Sequence, residues 1–128
     1  MRFLLDTHAL IWFYLGNPKL RGKARVTIED PSNTKLVSPA SYWEIAIKLS
    51  SGRYLFNVSF DTFVQDAIIN NSFQILPIEP RHTSALIGLA PHHKDPFDRL
   101  IIAQAIVEGL PIVSADAKFD AYPIARVW

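Results

Sequence analysis

Short apolar runs alternate with helix-period stretches along the chain, and turn residues punctuate the boundaries. "RFLL" before Asp6 is a brief, mostly apolar run that predicts a buried strand. "THALIWFYL" then turns helical and stops at the breaker cluster Gly16-Asn17-Pro18. "KLRGKARVTIED" (19–30) predicts a second, amphipathic helix carried through Gly22 and closed by Pro31. "KLVS" (35–38) predicts a strand, after which Pro39 opens the helix "ASYWEIAIKLSSG", ending at Gly52. "FDTFVQDAIINN" (60–71) predicts a helix, "FQILPI" (73–78) a strand and "PRHTSALIGLA" (80–90) a helix. Pro96 opens a long helix that ends at Gly109. "PIVS" and "ARVW" supply the last strands, with a short helical turn between them at Ala117–Asp120.

Strands separated by helices of this length imply parallel pairing through crossovers. The strands alternate little, as expected of a sheet covered on both faces. The pattern predicts an α/β fold, a three-layer α/β/α sandwich around a central parallel sheet. With 128 residues, no internal repeat and no long linker, one domain spanning 1–128 is expected. An apolar content of 49% excludes a disordered tail. The absence of cysteine removes disulfides and thiolate metal sites, and it suits a reducing compartment. "FLLDTHALIWFYL" carries an Asp and a His and is too short for a comfortable membrane span. No signal-like segment opens the chain, so a cytoplasmic protein without membrane association is expected.

In a fold of this kind ligands sit at the carboxyl ends of strands, and polar chemistry does appear there. Asp6 follows the first strand, and Ser114-Ala115-Asp116 follows "PIV". A carboxylate at a buried sheet edge is costly unless paired or metal-bound. Each aspartate also has an ordinary explanation as the N-cap of the next helix. Glu44 lies close to the apolar stripe of its helix, with Lys48 at i+4 as a plain surface partner. In "DPFDRLIIAQA" (95–105), Asp95 precedes Pro96 and fits the N-cap, so capping accounts for it. Asp98 is the N3 residue with Ile101 and Ile102 at i+3 and i+4, so its side faces inward and capping does not explain it. Asp6, Glu44, Asp98 and Asp116 thus come from four segments and point to one edge. Ionised together they require a cation, because like charges raise one another's pKa. Hard oxygen donors select Mg²⁺ or Mn²⁺, whose usual work is displacement at phosphorus. The net charge of +1 hides a polarity: with four acids gathered in one pocket, 13 basic residues face eight acidic ones elsewhere, which suits a polyanionic substrate.

The blocks "MRFLLDTHALIWF", "SPASYWEIAIK", "HHKDPFDRLIIAQA" and "IVSADAKFDAY" resemble the PIN-domain proteins, particularly VapC-type toxins of bacterial toxin–antitoxin pairs. The resemblance covers essentially the whole chain. It implies a PIN-like fold and a Mg²⁺- or Mn²⁺-dependent ribonuclease whose catalytic and metal-binding acids map onto Asp6, Glu44, Asp98 and Asp116. It implies supporting hydroxyls at Thr7 and Ser114. It also implies a homodimer held by a DNA-binding antitoxin, whose tail covers an apolar groove and reaches the acidic pocket. Trp12, Phe13 and Tyr14 exceed what one helix face buries; they mark either part of that groove or a thick local core.

Further polar residues cluster nearby. Arg99 is placed to reach RNA phosphate or the pocket rim. His92, His93 and Lys94 could contact RNA phosphate or bind metal, although adjacent His92 and His93 cannot both face one site and read more simply as a loop surface. His8 is either a neighbour of the site or packed on its helix. A phosphoacceptor receiver would want an aspartate after the central strand, where "FQILPIEP" supplies Glu79. A nucleotide-binding module would want a glycine-rich phosphate loop, which is absent. A non-catalytic PIN-like module that binds RNA or protein remains the alternative to a nuclease.

Overall fold

The computed structural model describes residues 1–128. Five parallel strands form its centre: β1 (Arg2–Leu5), β2 (Thr34–Val37), β3 (Gln74–Ile75), β4 (Ile112–Val113) and β5 (Arg126–Val127), in the spatial order β3-β2-β1-β4-β5. β1 is central, pairing Leu5 with Val37 on one side and with Val113 on the other. The chain builds outward from β1 to β3, then returns to the far side of β1 with β4. The switch in strand order therefore falls at β1 and β4, whose carboxyl ends carry Asp6 and Ser114.

The period of two along the strands explains the three layers. Phe3, Leu5, Val37, Val113 and Val127 point into one core, with Leu10, Ile28, Ile45 and Phe63. Leu4, Leu36 and Ile112, the alternate positions, point into a second core with Ile101, Ile102, Ala105 and Phe119. Each such large side chain contributes roughly 1.5–3 kcal/mol by leaving water. The helices are α1 (Thr7–Leu15), α2 (Gly22–Glu29), α3 (Pro39–Ser50), α4 (Phe60–Phe63, continuing as a π-helical turn through Ile69), α5 (Pro80–Ile87) and α6 (Pro96–Glu108). A 3₁₀ turn spans Ala117–Ala121. No helix is long and apolar enough to cross a membrane.

Several elements are shorter than the pattern predicts, each for a local reason. α2 starts at Gly22 and not at Lys19, because Asn17 folds the preceding residues into a turn. The Lys19 N–H donates to Asn17 Oδ1 at 2.9 Å and the Leu20 N–H to the Asn17 carbonyl at 3.0 Å. α5 ends at Ile87, and the carbonyls of Leu89 and Ala90 accept from Arg99 instead of continuing a helix. β3 keeps two of six expected residues, since Pro77 has no N–H to extend the ladder.

Candidate active site

α1, α3, α6 and the 3₁₀ turn all begin at the carboxyl edge of the sheet, and each contributes one acid. Asp6 is buried, and it caps α1: its Oδ1 accepts from the Ala9 N–H at 2.7 Å. Its Oδ2 accepts from the Ser114 hydroxyl at 2.6 Å. Ser114 in turn accepts from the Asp116 N–H at 3.0 Å, so one hydroxyl ties the ends of β1 and β4 together. Asp116 caps the 3₁₀ turn through the Lys118 N–H. Both aspartates are therefore helix caps, and capping leaves one carboxylate oxygen of each for other work.

Glu44 is 3% exposed. Its ion pair with Lys48 is formed, as ordinary helix chemistry predicts, but it is set in a buried place and not on the surface. Burial would lower the Lys48 ammonium pKa, yet Glu44 and the Tyr54 hydroxyl outweigh it and raise it. Asp95 caps α6, its Oδ1 accepting from the N–H groups of Phe97 and Asp98 at 2.9 and 3.0 Å. An oxygen of Asp95 also lies within 4.8 Å of oxygens from Glu44 and Asp98, so the capping residue borders the acidic cluster.

Asp98 is the electrostatic centre. Burial, and then the charges of Asp95, Asp6, Glu44 and Asp116, push its carboxyl from an ordinary 3.8 up to about 8. Burial also raises Asp6 against the hydrogen bonds from Ser114 and Ala9. Asp116 goes the other way. Burial pushes it up, but the Lys118 N–H and the His93 ring hold it below the usual carboxylate range.

His93 is the residue that sequence reasoning misplaced. His92 is exposed, but His93 is 5% exposed and stands between two acids. Its Nε2 lies 2.8 Å from Asp116 Oδ2 and 3.2 Å from Asp98 Oδ2. Its Nδ1 accepts from the Asp95 N–H at 3.2 Å. That hydrogen-bond network assigns the ring proton to Nε2, so His93 offers the carboxylates a donor and has no free lone pair for a metal. The loop is fixed from behind. The Tyr122 hydroxyl accepts from the His93 N–H at 2.8 Å and donates to the Ala90 carbonyl at 2.6 Å. Arg99, expected at the rim, directs its guanidinium onto the carbonyls of Leu89, Ala90 and His93. The only signal for this in the sequence was the proximity of "HHKD" to Asp98.

The remaining candidates are dispersed. The Thr7 hydroxyl donates to Ser41 at 3.1 Å, joining α1 to α3 one turn before Glu44. Lys94 is exposed on the loop. Phe13 packs on Phe73, and Tyr14 on Phe56 and Phe63, so two of the three surplus aromatics belong to the chain's own core. A cleft of about 290 Å³ opens beside the acids, lined by Asp6, His8, Trp12, Ala115 and Asp116. Glu44, Asp95 and Asp98 bring carboxylate oxygens within 4.8 Å of one another, Asp98 also closes on His93 and Asp116, and Asp6 stands outside both groups. Hard oxygen donors of this kind fit a divalent cation such as Mg²⁺ or Mn²⁺.

The family model for the PIN domain matches residues 3–125. No curated protein sequence matches significantly. Among solved structures, the chain is similar to VapBC2 from Rickettsia felis bound to a DNA fragment from its promoter (TM-score 0.69, 18% identity, 98% of this chain and 97% of that one). It is also similar to a toxin–antitoxin complex from Klebsiella pneumoniae (TM-score 0.67, 20% identity, 98% and 96% covered). VapBC-1 from nontypeable Haemophilus influenzae gives a TM-score of 0.69 at 16% identity, with 98% and 96% covered.

Proposed function

The chain belongs to the PIN domain family, and on that premise we propose that it is a Mg²⁺- or Mn²⁺-dependent endoribonuclease, the VapC-like toxin of a toxin–antitoxin pair. One observation carries the reading: half-buried Asp98 belongs to two close groups at once, one with Glu44 and Asp95 and one with His93 and Asp116, the ligating atoms of each lying within 4.8 Å of one another. Asp6, Glu44, Asp98 and Asp116 would hold the cation. When bound, it would supply positive charge to a phosphodiester oxygen and ease deprotonation of the attacking water.

The chain's own residues do the positioning. Ser114 fixes Asp6 relative to Asp116. His93 sets the rotation of Asp116 and borders Asp98, so it fixes the spacing of the two acids. Lys48 balances part of the charge of Glu44. Holding these groups in place before substrate arrives is where such a site gains its rate. The solved complex from Klebsiella pneumoniae pairs a toxin with an antitoxin, which supports a protein partner for this chain; a homodimer is part of the same proposal.

The test is cleavage of RNA by purified protein with Mg²⁺ or Mn²⁺. Asp6→Asn and Asp98→Asn should each lose activity by orders of magnitude while keeping the fold. Added Mn²⁺ should raise the melting temperature of the wild type more than that of either variant. A variant that cuts at the wild-type rate overturns the assignment.

A further inference from the structure

The cleft beside the acids does not end there. A second cleft of about 440 Å³, lined by Trp12, Pro18, Lys19, Arg21, Ala115 and Trp128, shares Trp12 and Ala115 with the first. One end of the combined groove carries carboxylates and the other carries two cations, with an indole between them. Its larger part lies in the range of small-ligand pockets, roughly 300–1,000 Å³.

The local sequence builds this end deliberately. The Asn17 turn buries Leu20 and leaves Lys19 and Arg21 exposed on either side of it, outside any helix. The Lys19 ammonium lies 5.5 Å from the centroid of a Trp12 ring. Trp128 lies 5.7 Å from Trp12, tilted by 57°. Trp12, Phe13 and Tyr14 are all half-buried against the core, and of the three Trp12 also lines both clefts. No acid lines the larger cleft.

We propose that this cleft is a subsite for one nucleotide flanking the scissile bond of a single-stranded RNA, its base resting on Trp12 and Trp128 and its phosphate held by Lys19 and Arg21. The inference rests on the nuclease reading and adds where the substrate strand runs from the acidic edge. Stacking accepts any base and phosphate contacts carry no sequence information, so the subsite gives affinity and register and not base choice. An acidic peptide would satisfy the cations but leave the indoles unused.

The test uses the Asp6→Asn protein, so that RNA is held uncut, and a fluorescein-labelled single-stranded oligoribonucleotide titrated over a salt series. Lys19→Ala/Arg21→Ala should weaken binding about tenfold and reduce the slope of log K against log salt by about 1. Trp12→Leu should weaken binding about fivefold or more with the slope unchanged. Lys23→Ala/Arg25→Ala, on α2 but outside the cleft, should change neither. With Asp6 intact, the cleft variants should raise KM more than they lower kcat. Lys19 and Arg21 are exposed, so that double variant reads binding without unfolding the chain. If the cleft variants bind and cut like their parents, the subsite is wrong and the nuclease reading stands. If the Asp6→Asn protein does not bind RNA and the wild type does not cut it, both fall. Loss of affinity for a polyglutamate peptide but not for RNA also overturns the subsite.

Discussion

Asp95 Oδ1 accepts two backbone N–H groups at the head of α6, so an amide at this position keeps a capping oxygen and removes one charge. Asp95→Asn should cost little stability and keep most activity, whereas Asp95→Ala should cost about 0.5–2 kcal/mol in denaturant unfolding. After burial, Asp95 is the largest influence raising Asp98. Asp95→Asn should therefore lower the pKa of Asp98. Its consequence for stability has a definite sign. The folded pKa of about 8 lies above the ordinary 3.8, so between these values the folded state binds the proton and the unfolded state does not. Stability from this group is full below about pH 4 and is lost as pH rises through 8. Without metal, the melting temperature of the wild type should fall between about pH 4 and 8 and level off above that. Asp98→Asn should flatten that fall, and equal slopes in thermal melts of the two proteins would remove the buried-carboxyl account.

The connection between α5 and α6 behaves as an element although it has no regular structure. Arg99 and Tyr122 bind its carbonyls and the His93 N–H from behind, and this directs the imidazole toward Asp98 and Asp116. Tyr122→Phe leaves the buried His93 N–H without its acceptor, which should cost about 1–3 kcal/mol. It should also reduce RNA cleavage, since His93 then sets Asp116 less firmly. Denaturant midpoints and cleavage rates measured on the same preparation test both effects. Unchanged cleavage with reduced stability would make the loop a structural feature alone. At this scale the sequence was partly legible. Caps at Asp6 and Asp95 and the proline starts of α3, α5 and α6 fall where local chemistry places them, while Ser38, expected at the end of a strand, caps α3 instead. The role of Arg99 was not legible, because its acceptors are freed only when α5 stops at Ile87.

Across the whole molecule, the acidic edge and the cationic cleft lie at the same end of the sheet, and the activity proposed for them has a cellular consequence. Induced expression of the chain should arrest growth, Asp6→Asn should not, and co-expression of an adjacent small antitoxin gene should restore growth. Growth curves with sequencing of RNA ends check this, and growth unaffected by an active nuclease would detach the enzyme from a toxin role. The sequence by itself determined the alternation of strands and helices, the parallel three-layer class and the place of four acids after strand ends or within the first turns of helices, because hydrophobic period and capping act over a few residues. Only the tertiary structure decided which ends meet. The order β3-β2-β1-β4-β5 sets β4 beside β1, bringing Ser114 to Asp6 across 108 residues. It also packs His93 between Asp98 and Asp116, and Trp128 against Trp12. Those contacts depend on which strands become neighbours, and an apolar run buries as well beside one partner as beside another.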